Sequence, residues 1–235
     1  RMGAAAPIAA EKDPSSVKVN NTMSPEMFHS MFSTMKQAET PSNAPRETMP
    51  VQEEPLPTPQ DLGVNAKFTF ETFVYGPENK HAYQSAVRFA ALADEPGQCK
   101  SLFIYGKSGL GKTHLLLAIK NYLAQDKPHV KVKYANSQTY IDDFINEVAK
   151  QKTDGNSILR EYHDADVLII DDIQNIIGKQ ASIDYFFQLM DEFLRENKKV
   201  ALASDRAPKD LGMDERLTSR FSAGMLCGVA EPGFE

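Results

Sequence analysis

The 235-residue chain is poor in cysteine: only Cys99 and Cys227 are present, far apart and in no metal-ligand spacing. That excludes a disulfide framework and suits a reducing compartment. No apolar run approaches the length of a membrane span. The opening Arg1-Met2-Gly3-Ala4-Ala5-Ala6 lacks the long apolar core of a secretory signal. Positive charge is not in excess either: 26 Lys and Arg face 32 Asp and Glu, a net charge of −6. A surface that grips duplex nucleic acid on every side is thereby excluded, while a local basic patch is not. There is no internal repeat. What is present is 41% hydrophobic and 25% charged residues, the balance of an ordinary globular domain with a tail. The chain opens on Arg and closes abruptly, which points to a fragment of a longer protein.

Residues 1–66 differ from the rest. Nine of the 14 prolines fall before position 61, among Ser, Thr, Glu and Gln. Such a stretch cannot bury enough apolar surface to offset the ordering of its backbone, so it reads as a disordered Pro-rich linker. Within it Ser24-Pro25-Glu26 carries helix-start signals, and Met27, Met31 and Met35 repeat at i, i+4, i+8. That segment is either a transient helix in a tail or a docking helix for a partner groove.

From residue 67 onward helical and strand signals alternate. Pro77–Leu92 reads as a helix, Ser101–Tyr105 as a buried strand, Thr113–Ala124 as a helix and Val130–Ala135 as a strand. Ser137 is expected to cap a helix carrying Tyr140, Ile141, Phe144, Ile145 and Val148. Val167–Ile170 is an apolar strand, Ile183–Leu194 a helix, Val200–Ala203 a strand, and a last strand lies near Met225–Val229. This alternation predicts an α/β domain with a parallel sheet covered on both faces.

Gly106-Lys107-Ser108-Gly109-Leu110-Gly111-Lys112-Thr113 matches G-x-x-x-x-G-K-[ST] between a predicted strand and a predicted helix. At average residue frequencies chance gives this match about once in a hundred chains of this length. Glycines let backbone N–H groups curl around phosphates at a helix N-terminus. Lys112 then reaches the β- and γ-phosphates, and the Thr113 hydroxyl ligates Mg²⁺. Val167-Leu168-Ile169-Ile170-Asp171-Asp172 is the complementary half, a buried strand ending in two carboxylates at the ligand edge of a parallel sheet. Asp171 is expected to hold Mg²⁺, and Asp172 to orient the attacking water. Ser204-Asp205-Arg206 emerges at the same edge. Arg216 and Arg220, at i, i+4, are either solvated charges or donors to a transferring phosphoryl group.

Taken together, these segments resemble the bacterial chromosomal replication initiator (DnaA) family. The similar stretches are Phe68-Thr69-Phe70, Phe73 to Asn79, Leu102 to Gly106, Gly109 to Leu116, Ile170 to Gln174, Ser204-Asp205-Arg206 and Arg216 to Phe221. The resemblance implies an AAA+ fold with a five-stranded parallel sheet in the order 5-1-4-3-2, and ATP with Mg²⁺ as the switch of a weak ATPase. It places Gly76 and Asn79 near the adenine and His114 beside the phosphate loop. It makes Asp205 a sensor of the γ-phosphate, and Arg220 an arginine finger acting on a neighbour's ATP with Arg216 in support. It implies self-assembly into a filament on origin DNA in the cytoplasm, at the nucleoid, with replicative helicase or regulatory proteins as further partners. Anionic lipid would concern only a full-length parent.

The family also implies single-strand contact through the region 137–162. There Ile145 stands at the position of an apolar contact, against its plainer reading as a core residue; Lys179, after the strand that ends in the paired acids, stands at that of a basic one. Ala181 and Ile183-Asp184-Tyr185 depart from the family pattern around that contact. A helical lid and a duplex-reading helix-turn-helix domain would lie beyond Glu235, so duplex binding by this chain alone is not expected. Two alternatives use the same motor: a helicase loader or transposition ATPase, and a regulatory paralogue that binds nucleotide without turning it over.

Overall fold

The computed structural model describes residues 67–149, 158–213 and 215–231, without the side chains of Ala149, Ile158, Arg216 and Leu217. The linker and its Met27–Met35 segment lie outside these residues. The elements are α1 (Lys80–Ala91), β1 (Ser101–Tyr105), α2 (Lys112–Asp126), β2 (Val132–Asn136), α3 (Ser137–Ala149), α4 (Ile158–His163), β3 (Val167–Asp171), α5 (Gln180–Arg195), β4 (Lys199–Ser204), α6 (Glu215–Ala223) and β5 (Met225–Gly228). Single 3₁₀ turns occupy Ile173–Asn175 and Pro208–Asp210. All strand pairs are parallel, in the order β2-β3-β4-β1-β5, which is the expected order read from the other edge.

The central strands are buried on both faces, and their side chains alternate between two cores. Leu102, Ile104, Val167, Ile169, Ala201 and Ala203 face α1 and α2. Phe103, Leu168, Ile170, Val200 and Leu202 face α3, α5 and α6. The period of two follows from strand geometry, and a continuous apolar run satisfies both faces at once. α2 contributes Leu115, Leu116, Ile119 and Leu123 to the first core, whereas Leu117 stays half-buried.

Three local expectations are corrected. α1 begins at Lys80 because the Asn79 amide is engaged upstream, accepting from Gly76 N at 2.9 Å and donating to Val74 O at 2.9 Å. β2 begins at Val132 because Lys127 to Val130 closes a turn, Val130 N donating to Lys127 O at 2.9 Å. The cap of α3 is Asn136 and not Ser137: Asn136 Oδ1 accepts from Thr139 N at 2.8 Å, while Ser137 is buried inside the first turn.

The segment ahead of α1 packs as part of the first core. Phe70 and Phe73 are buried against Tyr83, whose ring stacks on Phe73 at 5.6 Å. Asn121 Nδ2 donates to Phe68 O at 2.7 Å. Two buried lysines brace the loop between α1 and β1: Lys127 donates to Ala91 O and Asp94, and Lys199 to the carbonyls of Glu95 and Gln98. Burial pushes the Lys199 ammonium below the usual lysine range. Among the described residues no helix is long and apolar enough to cross a membrane.

Candidate nucleotide-binding site

The phosphate loop leaves the C-terminal end of β1, the strand enclosed between β4 and β5. Gly106 N donates to Ser204 O at 3.2 Å, and Val229 N donates to Tyr105 O at 2.8 Å, so both flanking strands hold the start of the loop. At Gly106, φ is +151° and a Cβ would come 2.3 Å from the Val229 carbonyl oxygen, so no other residue fits. Gly111 closes the loop at φ +87°, where a Cβ would meet the Phe73 ring at 2.8 Å. Lys107, Ser108 and Gly109 form the exposed crest, and Leu110 is half-buried. Lys112 is buried beneath them, its Nζ donating to Gly106 O and Lys107 O at 2.7 Å each. A cation held by carbonyls at a helix N-terminus makes a concave, electropositive seat for an anion.

Opposite this seat stand the acids. Thr113 Oγ1 donates to Asp171 Oδ2 at 2.6 Å, and Asp172 N donates to Asp171 Oδ1 at 2.9 Å. Asp171 is only 3% exposed. Burial raises its carboxyl above the usual range, and the neighbouring Asp172 charge adds to this, while the Thr113 bond opposes it. Burial, with the charges of Asp171 and Asp172, also pushes the Tyr134 phenol up to about 12. The field at the end of β3 is thus negative.

These residues fit a magnesium ion. Among the described residues no cluster of three His, Cys, Asp or Glu could hold a metal on its own. Thr113 and Asp171 offer two hard oxygen donors side by side, and Mg²⁺ characteristically takes one or two protein oxygens and completes its shell with water and phosphate.

Asp172 sits in the left-handed region, φ 54° and ψ 45°, which turns the chain sharply after the strand. Asp205, just past β4, lies at the same edge; Arg206 grips it through two bonds of 2.9 and 2.8 Å and holds its carboxyl below the usual range. Gln174, to which no role falls from its sequence position alone, lies between the two acids. Beside the loop a cavity of about 340 Å³ is lined by Val74, Asn79, Leu110, Gly111, His114 and Val229 among others. Gly76 is held by the Asn79 amide and does not line it. His114 also serves the fold. Its Nε2–H donates to Thr69 O at 2.8 Å, and its ring meets Phe68 and Phe73 edge-on. It ties the Phe68–Phe73 segment to the first turn of α2.

Lys112, Thr113, Asp171, Asp172 and Asp205 are therefore gathered at one sheet edge, with Asn79 and His114 in the adjoining cavity. Arg220 is elsewhere. It lies in the last turn of α6, ion-paired with Asp191, on a cavity of about 710 Å³ that also touches Ser101 and Met225, where β1 and β5 begin. A five-residue strand spans about 17 Å, so Arg220 is beyond reach of its own chain's phosphate seat. The side chain of Arg216 lies outside those described. Ile145 is not a core residue: it is 54% exposed, and Val148 is 62% exposed. Full burial in α3 ends at Ile141; beyond it Phe144 still packs half-buried on the second core and against Tyr185, while Ile145 and Val148 turn to solvent. Lys179 is exposed immediately before α5, to which α3 is tied by Tyr140 Oη donating to Ser182 O at 3.1 Å.

A phosphate loop on a central parallel strand, with paired acids two strands away in the order β2-β3-β4-β1-β5, defines a P-loop domain of the AAA+ class. A family model described as the bacterial DnaA ATPase domain matches residues 64–228, and the chain belongs to that family. It is 37% identical over 199 residues to the chromosomal replication initiator protein DnaA of Deinococcus deserti, covering 83% of this chain and 42% of that relative. The chain thus spans about two fifths of the length of that curated relative. Domain III of the Thermotoga maritima replication initiation protein DnaA superposes with a TM-score of 0.66 at 37% identity, covering 72% of this chain and 70% of that one. A replication initiator DnaA bound to AMPPCP and single-stranded DNA superposes with a TM-score of 0.64 at 32% identity, covering 72% and 51%. Helicase loaders share the fold alone, as for the DnaC loader at 16% identity.

Proposed function

We propose that this chain is the nucleotide switch of a replication initiator: it binds ATP with Mg²⁺, turns it over slowly, and assembles with copies of itself on origin DNA. The observation that carries the reading is the 2.6 Å bond between Thr113 and Asp171, set directly beside the buried Lys112. Two magnesium-type oxygens and one cation under a loop of backbone donors match the needs of a triphosphate, whose charge must be neutralised at the β and γ positions. The adenine would enter the cavity between Asn79 and Val229. Thr113 and Asp171 would hold Mg²⁺, which supplies charge neutralisation on the phosphates. Asp172 would orient the attacking water, and Asp205 would sense the γ-phosphate.

Arg220 has no route to its own nucleotide, so it would act on that of a neighbour, with Arg216 beside it on the same helix. This pairing explains why ATP and not ADP would favour assembly: only the γ-phosphate supplies charge that a neighbour's arginine can meet. Ile145, with Lys179 on the adjoining element, would contact single-stranded DNA, as the exposure of Ile145 favours. The proposed setting is the cytoplasm, at the nucleoid.

Sedimentation of the chain with Mg-AMPPCP and with Mg-ADP tests the switch. The reading expects association with the first nucleotide only, lost in Arg220→Ala; equal behaviour with both nucleotides would contradict it.

A further inference from the structure

Gln174 is the middle residue of the 3₁₀ turn that follows Asp172. Its Nε2 donates to Asp172 Oδ1 at 3.0 Å, and its Oε1 accepts from Asp205 N at 3.2 Å. Only one orientation of the amide satisfies both partners, since a carboxylate needs a donor and a backbone N–H needs an acceptor. The turn that carries it is anchored on both sides: Ile173 is 1% exposed, and Asn175 Nδ2 donates to Ser137 Oγ at 3.1 Å. One side chain therefore spans from the end of β3 to the exit of β4. It continues a chain of bonds that runs from Thr113 to Asp171 Oδ2, then from Asp171 Oδ1 to Asp172 N.

From this bridge we infer that Gln174 is a positioning residue that fixes Asp172 and Asp205 relative to each other, and so lets the site distinguish a triphosphate from a diphosphate. The inference rests on the nucleotide reading above. Asp172 and Asp205 are the two groups assigned to the γ-phosphate end. By occupying Oδ1 of Asp172, the amide leaves Oδ2 to face a water or the terminal phosphate. By holding Asp205 N, it sets the backbone from which the Asp205–Arg206 pair projects. A diphosphate ends before these groups and is indifferent to their placement.

The residue type is specific. A carboxylate at this position would keep the acceptor for Asp205 N but set a like charge against Asp172. Leucine fills the space and offers neither bond.

The test uses the full chain and two probes, Mg-ADP and Mg-AMPPCP, titrated against the unsubstituted protein, Gln174→Glu and Gln174→Leu, with thermal unfolding of each. Gln174→Leu supplies the folded comparison should the added charge of Gln174→Glu loosen the turn. ADP affinity is expected to stay within about twofold while AMPPCP affinity falls about tenfold or more, the size of one lost bond to a charged group. A second expectation separates positioning from packing. Measured against the unsubstituted protein at the same pH, the AMPPCP deficit of Gln174→Glu should shrink on acidification, because a protonated carboxyl can again donate to Asp172, while that of Gln174→Leu should not. An unchanged preference between the two nucleotides, or an equal loss of both, overturns the role of Gln174. If the unsubstituted chain binds neither nucleotide, the nucleotide reading itself fails and this inference falls with it.

Discussion

The Thr113 hydroxyl donates to the Asp171 carboxylate at 2.6 Å, joining the first turn of α2 to the end of β3 across 58 residues of sequence. The bond holds a buried carboxylate that no cation among the described residues neutralises by direct contact. Asp171 is thus held as a buried charge at a cost to the fold, the pattern expected where a site needs a charge that the core does not. Replacing Asp171 by Asn removes the charge: its amide oxygen can still accept from Asp172 N, and its N–H₂ can donate to the Thr113 hydroxyl, which turns from donor to acceptor. The nucleotide-free variant should melt higher than the unsubstituted chain, each 1 kcal/mol reading as about 2–4 °C in a domain of this size. It should also lose any Mg²⁺-dependent tightening of nucleotide binding. Calorimetry with and without Mg²⁺ checks both, and a lower melting temperature would remove the claim that this carboxylate is a burden on the apo fold.

The raised Asp171 carboxyl has a definite pH signature. Its folded pKa lies above the unfolded value, so the folded protein holds the proton more tightly, and stability from this group is greatest below the unfolded pKa and declines as pH rises through the folded one. Metal binding runs the other way, because Mg²⁺ needs the anion. Mg²⁺-dependent affinity should therefore fall on acidification at a pH above the ordinary aspartate range, while binding measured in EDTA stays level over that range. Isothermal titration across pH, in buffers of different ionisation enthalpy, would register the proton released when Mg²⁺ binds. No proton release would mean that the ion does not reach Asp171.

Gly106→Ala should be severely destabilising. The added Cβ would lie 2.3 Å from the Val229 carbonyl oxygen, a backbone atom that cannot turn aside. Relief requires pulling β5 from β1, where Val229 N donates to Tyr105 O at 2.8 Å. A loss of about 2–4 kcal/mol is expected, measurable by urea unfolding, and a loss under about 1 kcal/mol would show that the β1–β5 seam yields easily.

Much of this was legible in the sequence, for identifiable reasons. The phosphate loop is fixed by backbone chemistry that tolerates few residue types, so its spacing survives as a string. β3 and β4 are buried on both faces and announce themselves as unbroken apolar runs. What could not be read depends on partners distant in the chain. Asn136 and Ser137 are both good capping residues, and only the packing of Ser137 beneath Asn175 decides between them. Ile145 continues the i+4 repeat from Ile141, but the periodicity does not tell where full burial along a helix ends. Gln174 looks like any polar residue after a strand until β4 places the Asp205 N–H against it. His114 next to the loop reads as a phosphate neighbour, and its bond to Thr69 O becomes visible only once the Phe68–Phe73 segment has folded over α2.

The separation of Arg220 from the phosphate seat predicts second-order behaviour. ATPase activity per molecule should rise with protein concentration and should fall in Arg220→Ala without a change in nucleotide affinity. Removing one such arginine typically costs several orders of magnitude in rate. Mixing Arg220→Ala with Lys112→Ala should restore part of the activity, because each supplies what the other lacks across a mixed interface. Activity strictly proportional to protein concentration, with no rescue on mixing, would place the arginine outside the reaction.

The most direct measurement is equilibrium binding of Mg-ATP and Mg-ADP to this chain and to Lys112→Ala. Lys112 is buried under the loop with its ammonium on the Gly106 and Lys107 carbonyls, so its loss empties the cradle of its cation. Saturable binding of both nucleotides, abolished in the variant while its unfolding transition stays cooperative, is the predicted result. Binding that is undiminished in a folded Lys112→Ala, or absent from the unsubstituted chain, would contradict the assignment of Gly106 to Thr113 as a phosphate seat.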